Sequence, residues 1–321
     1  MKPKIRDVAK VAGVSPATVS RVLNDRGYIS EKTREKVYKA MKDINYFPND
    51  LARSLFSKRT NLIGVIIPTI NNPYFGELVF HIENICADLG YKVLLCNSLN
   101  RKDKEKKYWE MLMRNQVDGV IVATHNRGLM DNQEQYNLPI VAIDQYLSDK
   151  IPIVGSDNYG GGELATNYLI EKDCKKVVHL SGPLDLKTPA NLRRKAYEDV
   201  MKKAEKTPIT YEIKDVFNQK IQLDIIEKLL TEHPDVDGVF TSDDLMASTL
   251  LEAANKREKN ILIVGYDGAT TTRLLVPNLI TIQQPVQLVA ETSIKALVEI
   301  IEEGELKSLP FRTKLPVNLI F

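Results

Sequence analysis

The sequence predicts two kinds of structure in one chain of 321 residues: a small all-α helix-turn-helix head and a larger α/β body of two lobes. Three observations carry this. Residues 1–47 hold three short amphipathic helical patterns, with a glycine turn between the first two. From Asn61 onward, short β-rich runs alternate with helical patterns at roughly 25–30 residues, the spacing of βαβ units. Charge is divided in the same way. Residues 1–60 carry 8 Lys and 6 Arg against 4 Asp and 2 Glu, a net +8 in a chain that totals +2, so the other 261 residues stand at −6. A basic head on a mildly acidic body is the footprint of a phosphate-binding module, because neutralised phosphates release counterions.

In the head, Val8, Ala9 and Ala12 form one apolar face, so Arg6–Ala12 reads as a helix. Gly13 supplies the positive φ that a tight stop needs. Ser15 is a good N-cap, and Pro16 suits the first helical position, where its missing N–H costs nothing. A second helix runs from Pro16 to about Asn24 and buries Val19, Val22 and Leu23. This is the geometry whose second helix enters the DNA major groove. A third helix is signalled by Ser30 as cap and by Val37, Ala40, Met41 and Ile44 at helical spacing. An ordinary helical hairpin is the plainer reading of the first two helices. The run Asn45-Tyr46-Phe47-Pro48-Asn49-Asp50-Leu51-Ala52-Arg53-Ser54-Leu55 weighs against it.

That run, placed behind this helix-turn-helix, resembles the lactose-repressor (LacI/GalR) family of bacterial transcription regulators, and the resemblance extends over essentially the whole chain. It implies a DNA-binding domain over residues 1–47, a hinge over 48–60 and an effector-binding, dimerising domain over 61–321. Pro16, Ala17 and Arg21 fall where the family reads base edges, and Arg21 can contact guanine bidentately. Thr18, Ser20, Asn24, Ser30, Thr33, Tyr46 and Arg53 match phosphate-contacting positions, which fix register rather than sequence. Phe47-Pro48 breaks the third helix, and Asn49 can cap a segment from Asp50 to Phe56 that is too short to be a stable helix alone. The resemblance makes this the hinge helix that orders on DNA, with Ala52 keeping two copies close and Leu55 as the minor-groove wedge. A plain linker is the alternative.

The strands expected in the body are Leu62–Pro68, Tyr91–Cys96, Asp118–Ala123, Ile140–Asp144, Lys176–Gly182, Tyr211–Val216, Gly238–Ser242 and Ile261–Asp267. Continuous apolar runs such as Leu62–Ile67 fit parallel strands covered on both faces, so each lobe is Rossmann-like. Ile153–Tyr159 and Ile280–Pro285 read as crossovers between lobes. The N-lobe then takes about 61–159 and 285–310, and the C-lobe about 160–284 and 311–321. The body resembles periplasmic sugar-binding proteins, which hold a ligand between lobes at the carboxyl ends of the strands. With no long heptad pattern after residue 304, a homodimer on a pseudo-palindromic operator is expected.

Sugar recognition needs Asp, Asn and Arg for hydroxyl contacts and an aromatic face for C–H surface. The candidates are Asn72, Tyr74, Phe75, Asp144, Arg193, Phe217, Asp243 and Asp267. Arg193 and Asp267 match the family's effector-binding arginine and acid, and Phe217 matches its stacking aromatic. For Tyr74 and Phe75 plain core is the alternative, and Asp244 reads equally as helix cap or ligand. The loop Gly182–Asn191 is one residue longer than in the purine-repressor branch, so nothing is carried onto Lys187 or Thr188. A polar, acid-rich cleft favours a neutral sugar over a purine. Overall likeness points to the sucrose- or ribose-operon branch, with fructose or ribose as candidates.

Other classes have less support. His81, His125, His179 and His233 are scattered, with no GxSxG, P-loop or GxGxxG after a strand, and Gly160-Gly161-Gly162 lacks the required spacing. An enzyme is therefore not expected. Cys86, Cys96 and Cys174 show no CxxC spacing, so neither a disulfide framework nor a zinc site is implied, and no metal or cofactor is expected. No apolar run approaches membrane-spanning length and no h-region opens the chain, which favours a cytoplasmic regulator over a secreted receptor. A catabolite-control regulator co-repressed by a phosphorylated carrier protein needs a basic docking face after Pro285. That helix instead carries Glu291, Glu299, Glu302 and Glu303 against Lys295.

Overall fold

The computed structural model describes residues 3–48, 59–124, 138–184, 190–216 and 218–321. The chain divides into two compact units, residues 1–60 and 61–321. In the first, helices α1 (Ile5–Ala12), α2 (Pro16–Leu23) and α3 (Glu31–Asp43) close around Val8, Ala9, Val19, Val22, Val37 and Ala40. Each end is set locally. Asp7 Oδ2 accepts the Lys4 N–H at 2.7 Å, and α1 stops at Gly13, whose φ of 67° few other residues adopt. Ser15 Oγ accepts the Thr18 N–H at 3.0 Å, with Pro16 at the first helical position, as expected of a cap. Ser30 differs. It occupies the cap position of α3, but its hydroxyl meets Thr33 Oγ1 at 2.9 Å rather than a backbone N–H. The expected hinge segment, with Asn49, Ala52, Arg53 and Leu55, lies outside the described residues.

The second unit contains two six-stranded sheets. The first is formed by β1 (Leu62–Ile67), β2 (Lys92–Asn97), β3 (Gly119–Val122), β4 (Ile140–Ile143), β5 (Ile153–Ser156) and β11 (Arg312–Leu315). The second holds β6 (Val177–Ser181), β7 (Ile209–Glu212), β8 (Gly238–Thr241), β9 (Leu262–Asp267), β10 (Ile280–Gln283) and β12 (Asn318–Ile320). Strand order is β11-β5-β4-β3-β1-β2 in one and β12-β10-β9-β8-β6-β7 in the other. All pairings are parallel except that of β12 with β10. The first lobe carries helices α4 (Pro73–Asp88) and α5 (Lys102–Arg114), and the second carries α6 (Asn158–Glu171), α7 (Ala190–Lys203), α8 (Gln219–Glu232), α9 (Asp244–Asn255) and α10 (Thr270–Leu275). Helix α11 (Val286–Glu303) returns to the first lobe, laying Val289, Ala290, Ile294 and Leu297 against Ile63, Val65, Val141 and Ile143. The other face of that sheet buries Ile66, Val120 and Val122 with Leu112 of α5. Two covered faces account for the continuous apolar runs, each fully buried aliphatic side chain contributing about 1.5–3 kcal/mol.

The chain passes between the lobes three times: at Asp157, at Gln284–Pro285 and at Pro316–Val317. Three expectations change. The stretches read as bare crossovers are strands in their own right, β5 and β10, each crossing only at its end. Residues 311–321 do not all join the C-lobe: Arg312–Leu315 pairs with β5 in the first sheet, and Asn318–Ile320 alone enters the second. The alternating, half-exposed pattern of Arg312–Leu315 gives an edge strand no apolar run to announce it. Finally, the strand expected at Tyr211–Val216 begins at Ile209, because β6 pairs Val178 with Ile209.

Candidate functional site

At the carboxyl ends of the strands, a cavity of about 400 Å³ opens between the lobes. Seven of the eight candidate ligand residues line it: Asn72, Tyr74, Phe75, Asp144, Arg193, Asp243 and Asp267. Phe217, the eighth, lies outside the described residues. The helix following the first strand of each lobe supplies part of the wall, Tyr74 and Phe75 from α4 and Arg193 from α7. An acid stands at the end of the fourth strand of each lobe, Asp144 directly after β4 and Asp267 as the last residue of β9. Asp144 and Asp267 both have positive φ, 52° and 115°. The first value suits Asp in the left-handed region, whereas the second is a region that side chains avoid, so Asp267 is held there by its surroundings.

Arg193 is the hub. Its Nε donates to Asn158 Oδ1 at 2.7 Å, its Nη1 donates to the Ser242 carbonyl at 2.6 Å, and its guanidinium lies 3.5 Å from the centre of the Tyr266 ring. Asn158 Nδ2 in turn donates to Asp144 Oδ1 at 3.0 Å, which also accepts the Ser156 N–H at 3.1 Å. Across the cavity, Gln284 Nε2 donates to Asp267 Oδ1 at 2.8 Å. Asp144 and Asp267 are therefore braced from behind, each with an oxygen left for a ligand. Burial pushes the Asp144 carboxyl up to about 6, against the pull of Arg193 and its two donors. Burial likewise raises Asp267 well above the usual range, helped by the charges of Asp244 and Asp243, and raises Asp243 itself. The hydroxyls of Tyr74 and Tyr266 and Gln284 Oε1 are buried without a hydrogen-bond partner. Polar groups in that condition call for one.

Of the two neighbouring acids, Asp243 keeps the cavity position expected of it and also takes the cap expected of Asp244, which is neither cap nor lining. Asp243 is the N-cap of α9, accepting the Met246 N–H at 2.8 Å, while it also lines the cavity. Asp244 is buried behind it, accepting from Gly268 N–H at 2.8 Å and Thr281 Oγ1 at 2.6 Å. Asn72 is also a cap, with Oδ1 accepting from Tyr74 N–H at 2.9 Å, which leaves its amide nitrogen for the cavity. Sequence reasoning passed over Asn158 and Gln284, which hold the acids, and Lys214 and Asn100, which join the lining. The triple glycine serves packing. A Cβ on Gly161 would meet the Tyr266 hydroxyl at 2.5 Å, and one on Gly162 the Arg193 carbonyl at 2.6 Å. His179 is a core residue, stacked on Phe240 at 4.7 Å, with Nδ1 2.9 Å from the Phe240 carbonyl and burial pushing its pKa down to about 3. A contact also spans the two lobes: Glu77 on α4 accepts from Thr270 N–H at 2.7 Å and Thr270 Oγ1 at 2.9 Å.

In the small unit, Val19 and Val22 turn inward, leaving Pro16, Ala17 and Arg21 exposed on the outer face of α2. Thr18, Ser20 and Asn24 flank that face half-buried, and Asn24 Nδ2 donates to the Ser20 carbonyl at 2.8 Å. Ser30 is exposed, while Thr33 and Tyr46 are half-buried. Tyr28, unremarked in the sequence, is 98% exposed between α2 and α3 and has no packing role. Arg53 lies outside the described residues. Among the described residues there is no acidic or thiol cluster arranged to hold a metal, and no helix long and apolar enough to cross a membrane.

Comparison with known proteins agrees with this architecture. Residues 4–49 match the bacterial regulatory proteins of the lacI family, and residues 60–319 match the periplasmic binding proteins and sugar binding domain of the LacI family. The chain is 44% identical over 324 residues to the sucrose operon repressor of Pediococcus pentosaceus, covering 100% of this chain and 98% of that one. It is 39% identical over 324 residues to the ribose operon repressor of Halalkalibacterium halodurans, covering 98% and 95%. The crystal structure of the lac repressor dimer bound to operator and the anti-inducer ONPF superposes with a TM-score of 0.85 at 26% identity, covering 100% of this chain and 98% of that one. The chain belongs to the LacI family of bacterial regulatory proteins, as regulator rather than enzyme.

Proposed function

We propose that this chain is a repressor of a carbohydrate operon: a homodimer that binds a pseudo-palindromic operator through its heads and is released when a small neutral sugar fills the cleft. The observation that carries this is the convergence of Asn72, Tyr74, Phe75, Asp144, Arg193, Asp243 and Asp267 on one cavity of about 400 Å³. Carboxylates and amides accept and donate to sugar hydroxyls, and Tyr74 and Phe75 cover C–H surface. Four acids, three of them raised in pKa by burial, face Arg193 and Lys214 in the lining, so the cleft carries little net charge and favours a neutral sugar over a phosphate dianion. Leu274 and Leu275 on α10, 77% and 78% exposed, support a self-association face on the second lobe.

On the DNA side, Arg21 reads a guanine in each half-site and Pro16 and Ala17 make apolar contact. The segment carrying Ala52, Arg53 and Leu55 orders on the minor groove when two copies meet, so sugar that separates the two hinges melts it. Linkage then requires operator DNA to weaken sugar binding by the same factor. The test is fluorescence anisotropy on a palindromic operator with a central CG step, titrated with fructose, sucrose, ribose, glucose and their phosphates. Release by a neutral sugar at micromolar to millimolar concentration is expected. Tight binding that none of them moves sinks the sugar-inducer reading and favours a co-repressor. Arg21→Ala is expected to cost about 1–3 kcal/mol on that operator. Equal losses on random DNA remove Arg21 from base readout.

A further inference from the structure

We propose that the cleft takes a two-ring neutral sugar, one ring in each of two adjoining chambers; this rests on the reading of the cleft as a sugar site. Beside the first cavity lies a second of about 440 Å³, and the two share Asn72, Leu99, Val216 and Asp243 as a common wall. Each volume is near the small end of the range for ligand sites, so together they suit a ligand longer than one ring.

The chemistry of the second chamber differs from that of the first. Where the first gathers Arg193, Lys214 and four acids, the second offers the amides of Asn71, Gln219 and Gln222 and the hydroxyls of Ser248 and Thr249. Apart from the shared Asp243, its carboxylate is Glu252, which is paired with Lys256 at 2.6 Å. Gln222 Nε2 donates to the Val216 carbonyl, which fixes the amide and leaves Oε1 to accept. The Ser248 and Thr249 hydroxyls donate to the Asp244 and Leu245 carbonyls at 2.7 and 2.8 Å, so they too present lone pairs. Leu99, Val216 and Leu245 add apolar surface for the C–H faces of a ring. Neutral acceptors, amide donors and aliphatic patches are what a second pyranose or furanose ring needs. An anionic group would find no cation in that lining. At the junction, Asp243 gives one oxygen to the Met246 N–H and keeps the other for the ligand that spans both chambers.

The test is isothermal titration of the whole chain with fructose, glucose and galactose, and with sucrose, maltose, cellobiose, lactose, trehalose and melibiose. The wild type is compared with Ser248→Phe and Gln219→Trp, which fill the second chamber from a half-buried and an exposed position. At least one disaccharide is expected to bind tenfold or more tightly than either of its component sugars. Both variants should erase that margin while leaving monosaccharide affinity within twofold. Gln219→Trp removes no core contact and keeps the test open if Ser248→Phe fails to fold. Disaccharides that never exceed their components overturn the proposal, as does a margin that survives both substitutions. If monosaccharides bind but disaccharides do not, only this inference falls. If no sugar binds, the reading of the cleft falls with it.

Discussion

The two lobes follow one plan. In each, five parallel strands run in the order second-first-third-fourth-fifth, with a sixth edge strand contributed by the chain's last residues. In each, the helix after the first strand and the acid at the end of the fourth face the cleft. The chemistry at equivalent places diverges. After β1 the helix brings Tyr74 and Phe75; after β6 it brings Arg193. The acid following β4 sits at a φ that Asp tolerates, while the acid ending β9 sits at 115°. The first lobe thus supplies the apolar face and the second the cation, and neither can hold a polar ring alone. A duplicated scaffold fixes where functional groups stand, and the residues there decide what each half does.

That division can be broken first at Arg193. Arg193→Lys keeps the charge but not the planar fork, losing the Asn158 and Ser242 contacts and the stacking on Tyr266. Sugar affinity by calorimetry is expected to fall about 100-fold, on the order of 3 kcal/mol. Phe75→Ala on the first lobe should cost about tenfold or less. A larger loss at Phe75 than at Arg193 reverses the assignment of roles.

Asp144→Asn sharpens the comparison through pH. An unfolded Asp titrates near 3.9, and burial moves Asp144 up to about 6. Between those values the native state holds the extra proton, so its stability falls as pH rises through the window. Asn keeps the acceptor for Ser156 and Asn158 without the buried charge. Urea midpoints should therefore show the variant more stable than wild type at pH 8, the gap closing at pH 5, while sugar affinity drops. A gap independent of pH contradicts the account.

Thr270→Val removes the hydroxyl that reaches Glu77 across the lobes, leaving the backbone hydrogen bond. It should weaken sugar binding about fivefold, near 1 kcal/mol, by favouring open arrangements. Small-angle scattering of the unliganded chain should show a larger radius. The smallest effect is expected from Tyr74→Phe in the absence of sugar, because its hydroxyl has no partner there. A loss of sugar affinity in the same variant would show that the hydroxyl is used by the ligand.

Much of this was legible in the sequence. The head announced itself because caps, turn and apolar period are local: Gly13, Ser15 and Pro16 act within four residues of themselves. Central strands were legible because burial on two faces leaves an apolar run. The edge strands β7, β11 and β12 leave no such run, so their bounds came from pairing instead. The lining acids were visible as strand-end residues. Their supports were not. Asn158 and Gln284 lie 35 residues before Arg193 and 17 after Asp267, distances that only the folded chain closes. For the same reason Asp243 and Asp244 could not be told apart: one residue of helical phase decides which caps α9 and which turns toward Thr281.

The three passages between lobes bear on how such a protein can be re-engineered. Because Asp157, Gln284–Pro285 and Pro316–Val317 are all joints, the second lobe is not a contiguous cassette. Grafting it from a relative takes residues 158–283 together with 318–320, and α11 must stay with the recipient. Single-crossover chimeras therefore cut through one sheet or the other. A new ligand preference is reached more readily by exchanging side chains at the cleft than by exchanging the halves that carry them.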